Sequence, residues 1–273
     1  MRIPALARWI VLPPMVVASL GPIFWMMVQA FKAESDSLAV GNPWWPDHPT
    51  LANFVNLFRE PLLVGWIYNT LLVTSASIVV GVLASLLAGY ALTYLGVPHS
   101  RSLVLIFFAT YLLPQGVLFI PLVRLLSQLH LLNSPLALIV TYPSLVIPFG
   151  TWVIWSLLRR MPPDLVDSAV VDGAGLGTII TKVLLPVIWP ALGTIAVFAV
   201  AVVFNDYLYA ATFIQGTSDQ TVWGALGTLV STDIDNPGET FAVAVLVATP
   251  VALLCAFFAD SFAAGVSTGI IEH

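Results

Sequence analysis

Charged residues in this chain are separated by long uncharged stretches, from Arg8 to Lys32, Glu60 to Arg101, Arg101 to Arg124, Arg124 to Arg159, Lys182 to Asp206 and Glu239 to Asp260. Each leaves room for about 20 apolar residues, the length of helix that crosses the hydrocarbon core of a bilayer. No other gap approaches that length, so the pattern predicts six membrane-spanning helices, at about 9–31, 66–94, 102–123, 135–158, 187–210 and 240–262. The second gap is long enough to raise two crossings, but Gly65, Asn69, Pro98, His99 and Ser100 trim its ends and favour one long span. Pro13, Pro14, Pro22, Pro114, Pro121, Pro143, Pro148 and Pro250 fall inside the spans, which membrane helices tolerate when neighbours satisfy the freed backbone groups.

Composition strengthens this reading. Of the 273 residues 59% are hydrophobic and 8% charged, against about a quarter charged in a soluble domain, so too little polar surface remains to coat a soluble globule. The expected fold class is an all-α polytopic membrane protein, with residues 1–273 forming a single transmembrane domain. An even number of spans puts both termini on one side. A cytoplasmic N-terminus leaves Arg2, Arg8, Arg101, Arg159, Arg160 and Lys182 inside and Lys32, Arg59 and Arg124 outside, the bias the positive-inside rule expects. The apolar run after Arg8 continues to Phe31 without a clear small-residue cleavage site, and is read as a retained first span rather than a signal peptide. A formal charge of −5 gives no basic surface for nucleic acid. Cys255 is the only cysteine and lies in the last span, which excludes a disulfide framework or thiolate cluster, and His48, His99, His130 and His273 show no ligand spacing, so no metal is assigned.

Two polar stretches remain, an outer loop at about 32–65 containing Asn42-Pro43-Trp44-Trp45-Pro46, and an inner loop at about 159–186. The inner loop reads as helix, glycine stop, helix, proline stop. Pro163 suits a first helical turn, Asp164 and Asp167 favour the positive end of a helix dipole, and Gly173 suits the left-handed residue that ends a helix. Leu165, Ala169 and Asp172 share one face, and such a projecting helix suits a groove on a partner, where it acts as a lever.

This loop resembles the EAA signature of ATP-binding-cassette importer permeases. Asp167-Ser168-Ala169 is followed after three residues by Gly173 and after nine more by Val183-Leu184-Leu185-Pro186, with aspartate for the usual glutamate, serine for the first alanine and valine for the isoleucine before Leu-Pro. The resemblance covers nearly the whole chain and is closest to the second permease of maltose-type and glycerol-phosphate-type carbohydrate importers. Gln29-Ala30-Phe31-Lys32, Asn53-Phe54, Asn69-Thr70, Gly89-Tyr90-Ala91-Leu92, Ile120-Pro121-Leu122, Leu131-Leu132-Asn133-Ser134, Pro148-Phe149-Gly150, Asn205-Asp206 and Gly265-Val266-Ser267-Thr268-Gly269 fit its pattern in order. The tail departs from it, since family members usually end in a basic stretch whereas this chain has Asp260 and ends Ile270-Ile271-Glu272-His273.

The resemblance implies a type I importer permease fold with both termini cytoplasmic, in a bacterial inner membrane. It also implies a sister permease, a cytoplasmic ATPase dimer that holds ATP and Mg, and an extracytoplasmic binding protein or lipoprotein, with no cofactor in this chain. The coupling residues would then be Asp164, Asp167, Ser168, Ala169, Asp172, Gly173 and Ala174. Tyr111, Gln115 and Tyr142 are candidates to hydrogen-bond or stack on a sugar in the translocation path, with helix-to-helix hydrogen bonding the equal alternative. Asn205 and Asp206 are path candidates with interfacial anchoring as their alternative. Trp223, Gly224 and Gly227, in a run too short to span, are candidate contacts to the docked binding protein, as in related maltose-type permeases.

Rival readings are weaker. Gly173-Ala174-Gly175-Leu176-Gly177 lacks the Gly-Lys-Ser/Thr of a nucleotide loop. The segment 265–269 satisfies a nucleophile-elbow pattern but has only His273 downstream as a base. Neither paired carboxylates nor a histidine cluster lies at membrane depth, so the chain itself is read as a non-enzyme. An ion-coupled secondary transporter is the alternative, and the uncharged spans argue against it. Affinity in such importers comes largely from the binding protein, so a disaccharide, an amino sugar and a glycerophosphate-type solute all stay open.

Overall fold

A computed structural model describes residues 5–38, 44–162, 164–232 and 237–257, without the side chains at 5–9, 12, 37, 38, 115, 205, 228–232, 254 and 255. In chain order the helices are α1 (Ala5–Ala30), α2 (Glu34–Leu38), α3 (Ala52–Arg59), α4 (Leu63–Tyr94), α5 (Ser100–Tyr111), α6 (Gln115–Gln128) and α7 (Pro135–Leu158). They continue with α8 (Asp164–Val171), α9 (Leu176–Thr178), a π-helical turn at Ile179–Leu184, α10 (Leu185–Asn205), α11 (Leu208–Phe213), α12 (Val222–Thr232) and α13 (Pro237–Phe257). Among the described residues the only extended pairing is an isolated bridge between Lys32 and Pro49. The chain is therefore all-α, as expected of backbone that must satisfy its own polar groups in lipid.

Among the described residues four helical stretches are long and apolar enough to cross a bilayer, Pro13–Ala30, Leu63–Tyr94, Pro135–Leu158 and Leu176–Phe204. They correspond to the expected first, second, fourth and fifth spans. The last span corresponds to α13, whose apolar run Pro237–Leu253 is shorter, and the residues expected beyond Phe257 lie outside the described part.

Three expectations need correction. The third span, expected as one helix over 102–123, is two helices, α5 and α6, bent by 91° at their junction. Pro114 has no N–H to donate and disfavours helical geometry at Leu113, and it caps α6 with extended backbone at ψ 130. The fifth span, expected at 187–210, begins earlier at Leu176 and ends at Asn205, where Asp206 turns extended. Finally, Pro186 does not stop the helix of the inner loop. The preceding turn is the wide π form, in which the Leu185 N–H bonds the Ile180 carbonyl five residues back. That widening accommodates a proline ring that a regular α-turn would not, so the inner-loop helix and the span are continuous.

The structure divides into two compact units. One comprises residues 1–65 and 225–250. Within it the outer end of α1 is tied to the loop that follows. The Asn53 side-chain amide donates to the carbonyls of Ala30 and Lys32 at 2.9 and 2.8 Å, and the Thr50 N–H donates to Phe31 O. Asp36 accepts from the backbone N–H of His48 at 2.7 Å and lies 3.2 Å from its ring Nδ1, contacts that hold the Asp36 carboxyl below its ordinary value.

The other unit comprises residues 66–224 and 251–273, and α7 is its central helix, packed against α5 and α10. Its inner half forms a core with Leu86, Tyr90, Val146, Ile154, Leu158, Val166, Ile179, Leu184 and Ile188, and its outer half a second core with Val73, Leu126, Leu138, Tyr142, Tyr209 and Phe213. Between α4 and α7 the backbones approach closely, as small residues allow in membrane bundles. A Cβ placed on Gly89 would stand 2.6 Å from Ile154 Cγ2 and 2.8 Å from Ile154 Cβ. Gly89→Ala is therefore expected to cost about 1–3 kcal/mol through overpacking, read as a lower unfolding midpoint in detergent. Gly116→Ala, where nothing lies within 4 Å, should leave that midpoint unchanged or raise it.

Candidate functional site

The inner loop forms α8, whose end is built by Gly173. Gly173 has φ +79, and its N–H bonds Val170 O at 3.0 Å while the Ala174 N–H bonds Ala169 O at 2.9 Å. These two bonds are the Schellman ending of a helix, with the left-handed residue at the position glycine favours.

One face of α8 is committed inward. Val166 is buried, and Ala169 and Ala174 pack with it on the inner core alongside Tyr94, Met161 and Ile180. The helical period turns Asp164, Asp167, Ser168 and Val171 to the opposite side, where all four are exposed, as is Asp172 on the flank. Val171 is 86% exposed and forms the apolar apex of the loop, a residue the sequence reading passed over. Leu165, Val170 and Leu176 are exposed around it. Of the residues expected to couple, Asp164, Asp167, Ser168, Asp172 and Gly173 thus stand on the outer surface of the loop, while Ala169 and Ala174 hold the loop to its own bundle.

The path candidates separate. The Tyr142 hydroxyl donates to Asp206 Oδ2 at 2.8 Å, and both residues are buried. The same carboxylate accepts the N–H groups that open α11, from Tyr209 at 3.2 Å on Oδ1 and from Ala210 at 3.3 Å on Oδ2. The carboxylate is thus engaged where α10 ends, and Tyr142 follows the helix-to-helix alternative. Tyr111 is exposed and lines a cleft of about 120 Å³ with Thr110, Leu113, Leu118, Ser144 and Val202. Its ring meets Phe198 at 5.4 Å and Phe108 at 6.0 Å between centroids. Phe149 and Phe198 extend the aromatic wall at 4.2 Å. The side chains of Gln115 and Asn205 lie outside the described part.

At the outer end the residues after α11 are held by side chains of α4. Trp66 Nε1 donates to Thr217 O at 2.6 Å, Asn69 Nδ2 donates to Ser218 O and Gln220 O, and the Val222 N–H donates to the Thr70 hydroxyl. Asn133, with φ +61, accepts from the Gln215 N–H through its side chain and donates its own N–H to Phe213 O. Composition gave no signal for these bonds, but Asn69-Thr70 and Asn133-Ser134 were among the matched patterns, and the structure supplies their physical role. Gly224 is buried with the backbone of Ala210 3.2 Å from its Cβ position, Trp223 is half-buried, and Gly227 is partly exposed. The segments at 258–273, including 265–269 and the tail, and Asn42, Pro43, Pro163, Asp233 and Asp235, lie outside the described residues.

Comparison with known proteins bears on this arrangement. Residues 77–270 match the family model described as "Binding-protein-dependent transport system inner membrane component". The chain is 28% identical to a sulfoquinovosyl glycerol transport system permease protein of Agrobacterium fabrum, over 96% of this chain and 92% of that one. It is 24% identical to a trehalose/maltose transport system permease protein of Thermococcus litoralis, covering 94% and 93%. Among solved structures it resembles a chain of a bacterial ABC transporter involved in import of the acidic polysaccharide alginate, with a TM-score of 0.77 at 17% identity over 93% of this chain and 95% of that one. This last likeness is one of fold, and it extends over nearly the whole length.

The geometry at the end of α10 gives a graded expectation. Tyr142→Phe removes one hydrogen bond to a charged group, worth about 1.5–3 kcal/mol, and leaves the carboxylate with its backbone donors. Asp206→Ala removes the start of α11 as well and should lower the detergent unfolding midpoint further. A smaller shift for Asp206→Ala than for Tyr142→Phe would contradict the shared role.

Proposed function

The chain belongs to the family of binding-protein-dependent transport system inner membrane components, and from that membership we propose that it is one of two permeases of an ATP-driven carbohydrate importer. It is a multi-pass protein of the inner membrane. With a sister permease it forms the translocation path. An extracytoplasmic binding protein or lipoprotein delivers the solute, and a pair of cytoplasmic ATPase subunits, which hold ATP and Mg, drives the cycle.

The observation that carries this reading is the shape of α8. Its inward face is locked to the bundle by Val166, Ala169 and Ala174, and its apex is apolar and exposed at Val171 with acids at Asp164, Asp167 and Asp172. A helix fixed on one side and bare on the other transmits a displacement of its partner to the spans that flank it, α7 and the continuous helix from Leu176. A partner shifts the balance between two bundle arrangements only by its differential contact with them. Closure of the ATPase pair on ATP supplies that difference at α8.

Carbohydrate as the solute class is supported by the names of the relatives, whose sulfoquinovosyl glycerol and trehalose or maltose are sugars or sugar derivatives. The cleft of Tyr111 adds a physical reason, since an exposed tyrosine beside Phe108, Phe149 and Phe198 offers both a hydroxyl and ring faces to a pyranose. The spans Pro13–Ala30, Leu63–Tyr94 and Pro135–Leu158, and the part of the fifth beyond Lys182, contain no Asp, Glu, Lys, Arg or His up to Phe204, which leaves a secondary transporter without an ion-coupling group there.

Reconstitution of the chain with its sister permease, ATPases and binding protein tests the proposal. Val171→Asp, Asp167→Lys and Gly173→Asp should each lower ATP-dependent uptake at least roughly tenfold, about 1.4 kcal/mol of coupling, with assembly of the two permeases retained. Uptake that needs no ATP and is untouched by all three changes would overturn it in favour of a secondary transporter.

A further inference from the structure

The outer loop carries an apolar surface that neither the coupling loop nor the cleft uses. On α3 the helical period sorts the residues into distinct strips. Asn53 and Leu57 are buried, whereas Leu51, Val55 and Phe58 are 62%, 48% and 59% exposed and point together to another side. Trp44 and Trp45, before it in the loop, are 64% and 61% exposed. These five residues include no charge, and Asn56 and Arg59 lie on the flank of the helix.

The depth of this surface is fixed by its attachments. The start of α3 is bound to the last turn of α1 through Asn53, Thr50 and the Phe31–Phe54 ring contact at 5.1 Å. Its end leads within a few residues into α4, with Leu63 N–H bonding Glu60 O. A segment held to the outer ends of two spans lies at the level of the membrane surface. Trp44 reaches deeper, since its ring meets the Trp25 ring edge-on at 5.7 Å. Trp25 is five residues before the end of α1, which at 1.5 Å per residue is about 7.5 Å inside it. An exposed tryptophan at that depth along the flank of a span faces hydrocarbon or headgroups, not water.

We propose that Trp44, Trp45, Leu51, Val55 and Phe58 form an interfacial anchor, by which the outer loop and α3 lie in the outer boundary of the bilayer. Trp25, which Trp44 meets, stands about 7.5 Å inside the end of α1, within the roughly 5–10 Å layer that interfacial helices enter with their apolar face, and tryptophan is enriched in that layer. A soluble protein docking from outside would meet the ends of the spans and not a ring on the flank of α1. The anchor holds the outer end of α1 and the loop that follows it at the boundary of the membrane.

Depth-resolved spin labelling on the whole importer tests this. In a Cys255→Ser background, Trp45→Cys, Val55→Cys, Phe58→Cys and Asp47→Cys are labelled one at a time with a nitroxide, in phosphatidylcholine–phosphatidylglycerol vesicles holding all partner subunits. Labels at 45, 55 and 58 should collide more with oxygen than with a water-soluble nickel chelate, and the label at 47 should show the reverse. Leu51→Cys replaces any variant that fails to assemble. Greater contact with the chelate at 55 and 58 overturns the anchor, and its loss on adding loaded binding protein would assign the face to docking instead. Exclusion of both reagents also overturns it and assigns the face to a protein interface within the membrane. ATP-dependent uptake by the same vesicles is read separately, so a failed transport function is distinguished from a failed anchor.

Discussion

Every backbone polar group at membrane depth must find its partner inside the protein, and the rest of this structure follows from how that demand is met where helices break. Within the spans the α-helix satisfies it locally. At the breaks a few polar side chains take over. Asp206 receives the N–H groups that open α11 and the hydroxyl of Tyr142, Asn133 holds the chain on both sides of Ile214, and Asn69 and Thr70 bind the segment before α12. Asn53 does the same work for the end of α1. Asp206, Asn69, Thr70 and Asn53 are buried, and they replace water for backbone that has no helix to turn to.

The two ends of the larger unit are consequently different in kind. Its outer end is a network of side-chain to backbone bonds. Its inner end relies on apolar packing under α8 and on one glycine geometry, and it leaves an exposed apolar tip. Within the outer network Gln220 Oε1 and Trp223 Nε1 are buried without a hydrogen-bond partner among the described residues.

The positions of the spans were legible because the cost of a charge in hydrocarbon is large and one-signed, so that gaps between charges mark crossings. The span at 135–158 coincides with α7, bounded by the Ser134 cap, whose hydroxyl accepts from Leu136 N–H, and by Arg159. The helix of the inner loop was legible through the acids at its start and Gly173 at its end, and the left-handed Gly173 is where that reading and the structure agree most closely. Prolines were harder. Pro114 breaks a span, while Pro143 and Pro148 lie inside α7 and Pro186 is carried by a π turn. The same residue type gives different outcomes according to whether neighbours and the local helical register absorb the lost bond.

The sequence by itself determined an all-helical membrane protein and a short helix ended by Gly173 in its inner loop, because the cost of moving charge and backbone into lipid follows from composition and spacing, and a left-handed helix end favours glycine. Only the tertiary structure decided that Tyr142 and Asp206 bond each other, that Ala169 faces inward while Val171 forms the tip, and that Trp44 lies beside Trp25 of the first span. Those outcomes depend on which faces of separate helices meet, a property of packing in three dimensions that no local pattern along the chain encodes.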